Sequence, residues 1–383
     1  MNVRNLRIDA LRGVAVLMVL ELHLVSNVMP WADLASTVLG GVAYSLLHYG
    51  WVGVEIFFVM SAYLLTSILL RHREEDDLFR SFYLRRAFRI LPLYWLLLLV
   101  GSLSRAWWTF IDGDPQAWLW KDQHPLIYYI LFLQNWITGW NGAHVAHFYS
   151  VTWSLAVEEH FYLLLPLLVT RLTARRLCGV AVFFIIAGPF IRAGLTIAPG
   201  PFAAYAWTIA QLDAFSWGVL LAYAQHFRPE LLKQISSKFN MGMLAVNLLI
   251  VAIIAAPDID EHKDAALSVT LGALVGVCAL AAAISPTSVP ARHPSALTMF
   301  LAWCGRRCFS LYLLHKPVIG AVALAAPFKD TATAGAASLI LIAIPATFLV
   351  SAFTYRFIEE PFMALADRVA PYSQRPAKSI NAA

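Results

Sequence analysis

Residues 10–29 read ALRGVAVLMVLELHLVSNVM. An α-helix rises about 1.5 Å per residue and a bilayer's hydrocarbon core is about 30 Å thick, so about 20 apolar residues can cross it. This stretch has that length, and Arg12, Glu21 and His23 are its only ionisable side chains. It reads as a transmembrane helix. Working outward, further apolar runs near 48–70, 88–105, 150–170, 177–197, 203–225, 240–257, 266–285, 308–327 and 334–357 read the same way. The expected fold is an all-α integral membrane protein of about ten transmembrane helices.

Composition supports this. Of 383 residues, 60% are hydrophobic and 13% charged, and the mean hydropathy is +0.67. A soluble domain carries roughly a quarter charged residues. Half that supply cannot clothe a chain of this length in a water-facing surface, so the bilayer must be the solvent. The stretch 106–149 holds no full span but is rich in tryptophan (Trp107, Trp108, Trp118, Trp120, Trp136, Trp140), as interfacial segments are. A half-helix or re-entrant piece is expected there at 125–137. The first apolar run is too long for the core of a signal peptide, and no small-residue cleavage site follows it. No internal repeat is visible. A membrane domain is expected over 1–362, followed by a short cytoplasmic tail, 363–383, and no appended soluble domain.

Orientation follows from where Lys and Arg fall. Placing the N-terminus in the cytoplasm puts most of the 28 basic residues on that side: Arg4 to Arg12, Arg71 to Arg89, Arg171 to Arg176, Arg228 to Lys238, Arg292 to Arg307 and Arg356 to Lys378. The opposite side keeps few, and its 257–265 loop is acidic. An even number of spans then returns the C-terminus to the cytoplasm. The arginines cluster in loops and form no basic face, which argues against nucleic-acid binding. The four cysteines, Cys178, Cys278, Cys304 and Cys308, have no metal or redox spacing and are expected to be small buried residues. No metal is expected.

Ionisable groups inside spans cost several kcal/mol unless paired or facing water, so each is a candidate for function. The first span holds Asp9, Arg12, Glu21 and His23. Arg12 and His23 are three helical turns apart, about 16 Å along one face. Alone, Arg12 could be an anchor and His23 a packed core histidine; together they describe a lined cavity. The second span carries Gly50, Gly53, Glu55, Phe57, Phe58 and Ser61. Its glycines suit close helix packing, and Glu55 needs a partner. The third opens Arg85-Arg86-Ala87-Phe88-Arg89-Ile90-Leu91-Pro92, basic enough to cradle phosphates or to bind anionic lipid. In the fourth, Trp153 precedes Ser154, Glu158 and Tyr162, which share one face, with Glu159 and His160 beside them. Asp213 lies inside the sixth, and His315 follows Tyr312 in the ninth. Arg356 and Glu359 read as an i, i+3 ion pair at a helix end.

These residues resemble acyltransferase family 3, bacterial membrane O-acyltransferases that acylate sugars, glycolipids, peptidoglycan and macrolides. Leu11-Arg12-Gly13 followed by His23 is similar to the family's arginine, ten residues, histidine motif. Gly53-Val54 with Phe57-Phe58 and Ser61 resembles the second-span motif, and Arg86 with Arg89-Ile90-Leu91-Pro92 the third. Trp153-Ser154-Leu155 with Glu158 and Phe161-Tyr162 resembles the fourth. Gly305, Tyr312-Leu313 and His315 resemble the ninth, and Tyr355-Arg356 with Glu359 and Pro361 the last. Six motifs in order span nearly the whole chain, Leu6 to Phe362. The chain departs from the pattern at Ala62, usually glycine, at Cys308 and Phe309, and at the extra acid Glu21.

The resemblance implies a multi-pass protein of the cell inner membrane that moves an acyl group from acyl-CoA, usually acetyl-CoA, to a hydroxyl of a glycan, glycolipid or small molecule. It implies that Arg12, Arg86 and Arg89 bind the donor's phosphates. It implies His23 as general base, with Glu158 orienting it or holding the acceptor. Asp9, Glu55, Ser61, Trp153, Ser154, Glu159, Tyr162, Asp213, Tyr312, His315, Arg356 and Glu359 would form the surrounding polar network. A proton-coupled transporter stays open, because intramembrane His, Glu and Arg also build proton relays. The sequence shows no inverted repeats or broken helices in matching halves to support it.

Overall fold

Apolar runs fold as helices in a bilayer because only helices and closed barrels satisfy every backbone donor and acceptor there. The computed structural model describes residues 5–28, 49–112, 119–121, 124–141, 147–230, 232, 265–284, 294–325 and 339–372. Among them no strand occurs. The helices are α1 (Leu6–Val28), α2 (Val52–Arg71), α3 (Leu78–Asp112), α4 (Leu126–Ile130), α5 (Gln134–Asn141), α6 (Thr152–Arg171) and α7 (Ala174–Ile197). There follow α8 (Pro201–Ala206), α9 (Leu212–Phe227), α10 (Ala265–Ile284), α11 (Ala296–Arg306), α12 (Cys308–Ala325), α13 (Ile344–Thr354) and α14 (Glu360–Val369). Among the described residues six helical stretches are long and apolar enough to cross a membrane: Tyr49–Arg71, Leu78–Asp112, Ala174–Ile197, Leu267–Ile284, Cys308–Ala325 and Ile340–Val369. The run expected at 240–257 lies outside the described residues.

Burial separates axis from rim. Along α2, Val52, Val54, Ile56, Phe58, Val59, Met60 and Leu69 are all buried. Phe58 packs on Phe215, and Phe215 stacks on Phe161 with ring centroids 4.2 Å apart. In contrast α7 exposes Val182, Phe183, Ile186 and Phe190, and α3 exposes Leu99, Val100, Leu103 and Trp107. So much apolar surface turned outward is what lipid, not water, would cover. The whole of α3, at 35 residues, is about 52 Å long, well beyond the bilayer core, so it cannot lie wholly within the hydrocarbon.

Close backbone contact fixes α1. A Cβ on Gly305 would stand 1.7 Å from the Asp9 carbonyl oxygen, and one on Gly13 would stand 1.9 Å from that of Leu301. Only glycine lets α1 and α11 meet at this distance, and the meeting point places Asp9 and Arg12. The 11-residue α11 falls where the sequence reads as part of a cytoplasmic loop, because a helix that short cannot span.

Two further differences have physical causes. The run 203–225, expected as one span, breaks between α8 and α9 through a 3₁₀ turn at Thr208–Gln211. Tertiary hydrogen bonds hold the break: Trp207 Nε1 donates to the Trp136 carbonyl at 3.0 Å, and Asn135 Nδ2 donates to the Ala206 carbonyl and to Thr208 Oγ1. The piece expected at 125–137 is a pair of short helices, α4 and α5. Gln134 pins it to the bundle, donating to the Thr152 carbonyl at 2.9 Å. At the other end, the helix α14 continues past 362 to Val369 and is held to α3 by Arg85, which pairs with Asp367 and donates to the Ala370 carbonyl at 3.0 Å. Arg85 is therefore turned away from Arg86 and Arg89.

A buried ion pair locks α7 to α9. Arg192 and Asp213 are both fully buried and meet in two hydrogen bonds of 2.8 and 2.7 Å. Arg192 also donates to the Ala210 carbonyl freed by the break, and Thr270 of α10 donates to Asp213 at 3.2 Å. Removing one partner would strand a charge, at about 3–5 kcal/mol. Glu55 is buried nearby, within electrostatic reach of both, and neither carboxyl oxygen has a hydrogen-bond partner among the described residues.

Candidate active site

Five helices, α1, α2, α3, α6 and α12, surround a cavity of about 100 Å³. Three of its lining residues are arginines: Arg12 from the first turns of α1, and Arg86 and Arg89 one turn apart on α3. The hydroxyls of Ser61, Ser154, Tyr162 and Tyr312 and the single carboxylate Glu158 complete its polar wall, and Phe57 and Phe58 its apolar wall. The four-residue spacing of Ser154, Glu158 and Tyr162 does put them on one face of α6, as expected. Ser61 and Tyr162 hydroxyls lie 2.6 Å apart, and those of Ser154 and Tyr312 2.5 Å. These seams tie α2 to α6 and α6 to α12.

The charge of this wall is one-sided. Neither Arg86 nor Arg89 has a carboxylate within ion-pair distance among the described residues, and Arg12 pairs with Asp9 at 3.9 Å. Glu158 lies within electrostatic reach of all three guanidinium groups and beside Tyr162. Even with Arg12 paired to Asp9, Arg86 and Arg89 face Glu158 as the one carboxylate in the lining, which leaves a net-positive wall suited to an anion.

A second cluster lies farther along the same two helices. His23 is eleven residues beyond Arg12 on α1, and His315 one turn beyond Tyr312 on α12. Their rings approach to 4.9 Å between centroids, with His315 Nε2 3.1 Å from His23 Nδ1. His315 Nδ1 is 2.7 Å from the Tyr312 carbonyl oxygen and 3.2 Å from that of Leu311. Carbonyl oxygens only accept, so Nδ1 of His315 carries its proton and Nε2 bears the lone pair. His23 Nδ1 then donates to that lone pair, sharing its proton with the Val19 carbonyl oxygen at 2.9 Å. With both rings neutral, His23 Nε2 is left as the basic nitrogen.

The remaining expected residues fall elsewhere. Trp153 packs between Phe58 and Tyr205, outside the cavity. Glu159 is not among the residues lining the cavity, and its Oε1 is buried without a hydrogen-bond partner among the described residues. Glu55 and Asp213 belong to the Arg192 network. The expected Arg356–Glu359 pair does not form. Helix α13 ends in a π-helical turn, Tyr355–Glu359, whose extra residue turns Glu359 inward against Ser310, and Arg356 pairs with Glu360 at 2.5 Å instead. All four cysteines are free thiols, and three of them are buried. The sequence reading passed over Arg192, Lys316 and His147. The first two are ionisable groups inside apolar runs, the criterion that found His23.

The fold and these two clusters define a class: a multi-pass helical membrane protein with a cationic pocket and, farther along two of the same helices, a histidine pair. The family model for the acyltransferase domain matches residues 5–356, and the chain belongs to acyltransferase family 3. Among curated relatives it is 28% identical over 375 residues to the peptidoglycan O-acetyltransferase OatA of Listeria monocytogenes, covering 92% of this chain and 55% of that one. It is 26% identical over 388 residues to YrhL of Bacillus subtilis, provisionally named a peptidoglycan O-acetyltransferase, covering 92% and 54%. A Staphylococcus aureus protein provisionally named an O-acetyltransferase is 27% identical over 355 residues, covering 86% and 56%. The chain thus spans about half the length of these relatives. No solved structure matches it.

Proposed function

We propose that this protein transfers an acetyl group from acetyl-CoA, presented at the cytoplasmic face of the inner membrane, to a hydroxyl of a glycan or glycolipid presented from the other side. The observation that carries this reading is the alignment of the two clusters along α1 and α12. Arg12 and Tyr312 line the cationic pocket, and His23 and His315 meet one stretch farther along the same helices. An anionic donor with a long neutral arm fits that order: phosphates at Arg12, Arg86 and Arg89, thioester at the histidines.

In the chemistry proposed, His23 Nε2 takes the acceptor's hydroxyl proton as its oxygen attacks the thioester carbonyl carbon. The carbon–sulfur bond then breaks, and the departing thiolate recovers the proton from His23. The products are an ester and free CoA. His315 fixes which nitrogen of His23 is basic, and Glu158 stands among the arginines as part of the donor pocket. Purified protein in detergent, given labelled acetyl-CoA with peptidoglycan fragments or N-acetylglucosamine oligomers, should release CoA and label the acceptor. Label taken up into proteoliposomes with the thioester intact would instead make the protein a transporter.

The same reading places the chain in the membrane with ten spans and both termini in the cytoplasm. Reporter fusions should put 171–176 and the C-terminus inside and 106–149 outside. A cytoplasmic reporter signal from 106–149 would overturn both the span count and the two-sided delivery of substrates.

A further inference from the structure

Lys316 follows His315 in α12 and is only 8% exposed. It makes no ion pair and no hydrogen bond among the described residues. Its electrostatic neighbours are three histidines: His23, His315 and His147. A lysine ammonium held inside a membrane bundle costs several kcal/mol when nothing neutralises it. Among the described residues no carboxylate does. The position also matters. Lys316 lies four residues beyond Tyr312, so it continues the face of α12 that lines the pocket, and it reaches the level of the His23–His315 contact. A fixed cation beside a basic histidine, at the end of a donor pocket, faces a place where negative charge is absent before reaction and present during it.

We propose that Lys316 is a catalytic residue whose ammonium holds the oxyanion formed at the thioester carbonyl. The inference rests on the acyl-transfer reading above. As the acceptor oxygen bonds to the carbonyl carbon, the π pair of that carbonyl moves onto its oxygen, and the hydroxyl proton moves to His23 Nε2. The oxyanion then stands beside the Lys316 ammonium. When the pair returns, the carbon–sulfur bond breaks and the thiolate takes the proton from His23. Lysine neither gains nor loses a proton, and its charge, which no carboxylate among the described residues pairs, is matched while the tetrahedral species exists. That difference between ground and transition state is what accelerates a reaction.

The test is Lys316→Met in the full chain, compared with wild type for CoA release from acetyl-CoA in the presence of peptidoglycan fragments. Methionine fills the volume without charge. Loss of an oxyanion donor typically lowers kcat about 10²–10³-fold. That fall is expected here, with the donor KM unchanged within about threefold. The thermal midpoint of the detergent-solubilised protein should stay level or rise, because a buried charge has been removed. Lys316→Arg, which keeps the charge, should retain more activity than Lys316→Met. Full activity in Lys316→Met, or a fall in activity that tracks a fall in melting temperature, would overturn the proposal. If wild type itself transfers no acetyl group, the acyl-transfer reading fails first; if wild type transfers and Lys316→Met transfers equally well, the lysine assignment alone fails.

Discussion

His23→Ala is expected to lower kcat for acetyl transfer by about 10²–10⁴-fold, the usual contribution of general base catalysis. The variant should still insert and bind donor, because the arginine pocket is built from Arg12, Arg86 and Arg89 and does not include His23. The decisive companion is His23→Gln. Its amide can offer a hydrogen bond toward His315 Nε2 or the Val19 carbonyl oxygen, the two contacts that His23 Nδ1 makes. It cannot take a proton. A histidine that only ties α1 to α12 would be largely rescued by glutamine; a base would not. Measured kcat near the wild-type value in His23→Gln would remove His23 from the chemistry. His315 would then be the next base to test. His160 would not, since its Nδ1 is 2.7 Å from Thr208 Oγ1 and its ring lies beside Trp136, away from the pocket.

What the sequence could and could not reveal follows from the physics of each feature. Helices were legible because lipid imposes a length and a composition on any segment that crosses it. The pocket wall was legible in part because Ser154, Glu158 and Tyr162, or Arg86 and Arg89, are neighbours by helical spacing alone. The His23–His315 contact was not, since it joins residues 292 positions apart and depends on how α1 and α12 pack. The break at Trp207 was hidden for a similar reason. Trp207, Ile209 and Ala210 are as apolar as a continuous span, and only the bonds from Trp207 and Asn135 to other segments show why the helix stops. Arg192 could have been found by the rule applied to His23, but its partner Asp213 could not have been assigned from local spacing. Arg85 looked like a third member of the arginine cluster, yet on the α-helix it points about 100° away from Arg86, toward Asp367 and the Tyr372 ring.

Replacing both Arg86 and Arg89 by methionine should raise the donor KM by roughly 100-fold or more, with kcat changed far less. Hydrogen bonds from charged groups contribute about 1.5–3 kcal/mol each, which is roughly 10- to 100-fold in affinity per arginine. Phosphates far from the reacting carbon are held equally in ground and transition states, so their loss appears in KM. Methionine is the right replacement because both residues are only half-buried and their stems pack in the pocket wall, where alanine would leave a gap. Salt gives an independent reading. In wild type the donor KM should climb as ionic strength rises, since exposed charge pairs are screened over about 10 Å at 0.1 M. In the double variant that climb should flatten. The single variants locate the contact further: both arginines stand near Glu158, but Arg89 already touches Met363 Sδ at 3.7 Å, whereas Arg86 stands beside Tyr162. Arg86→Met should therefore have the larger effect. An unchanged donor KM and an unchanged salt slope in a well-folded double variant would show that these arginines only orient the chain in the membrane, and that the donor's phosphates are bound somewhere other than this pocket.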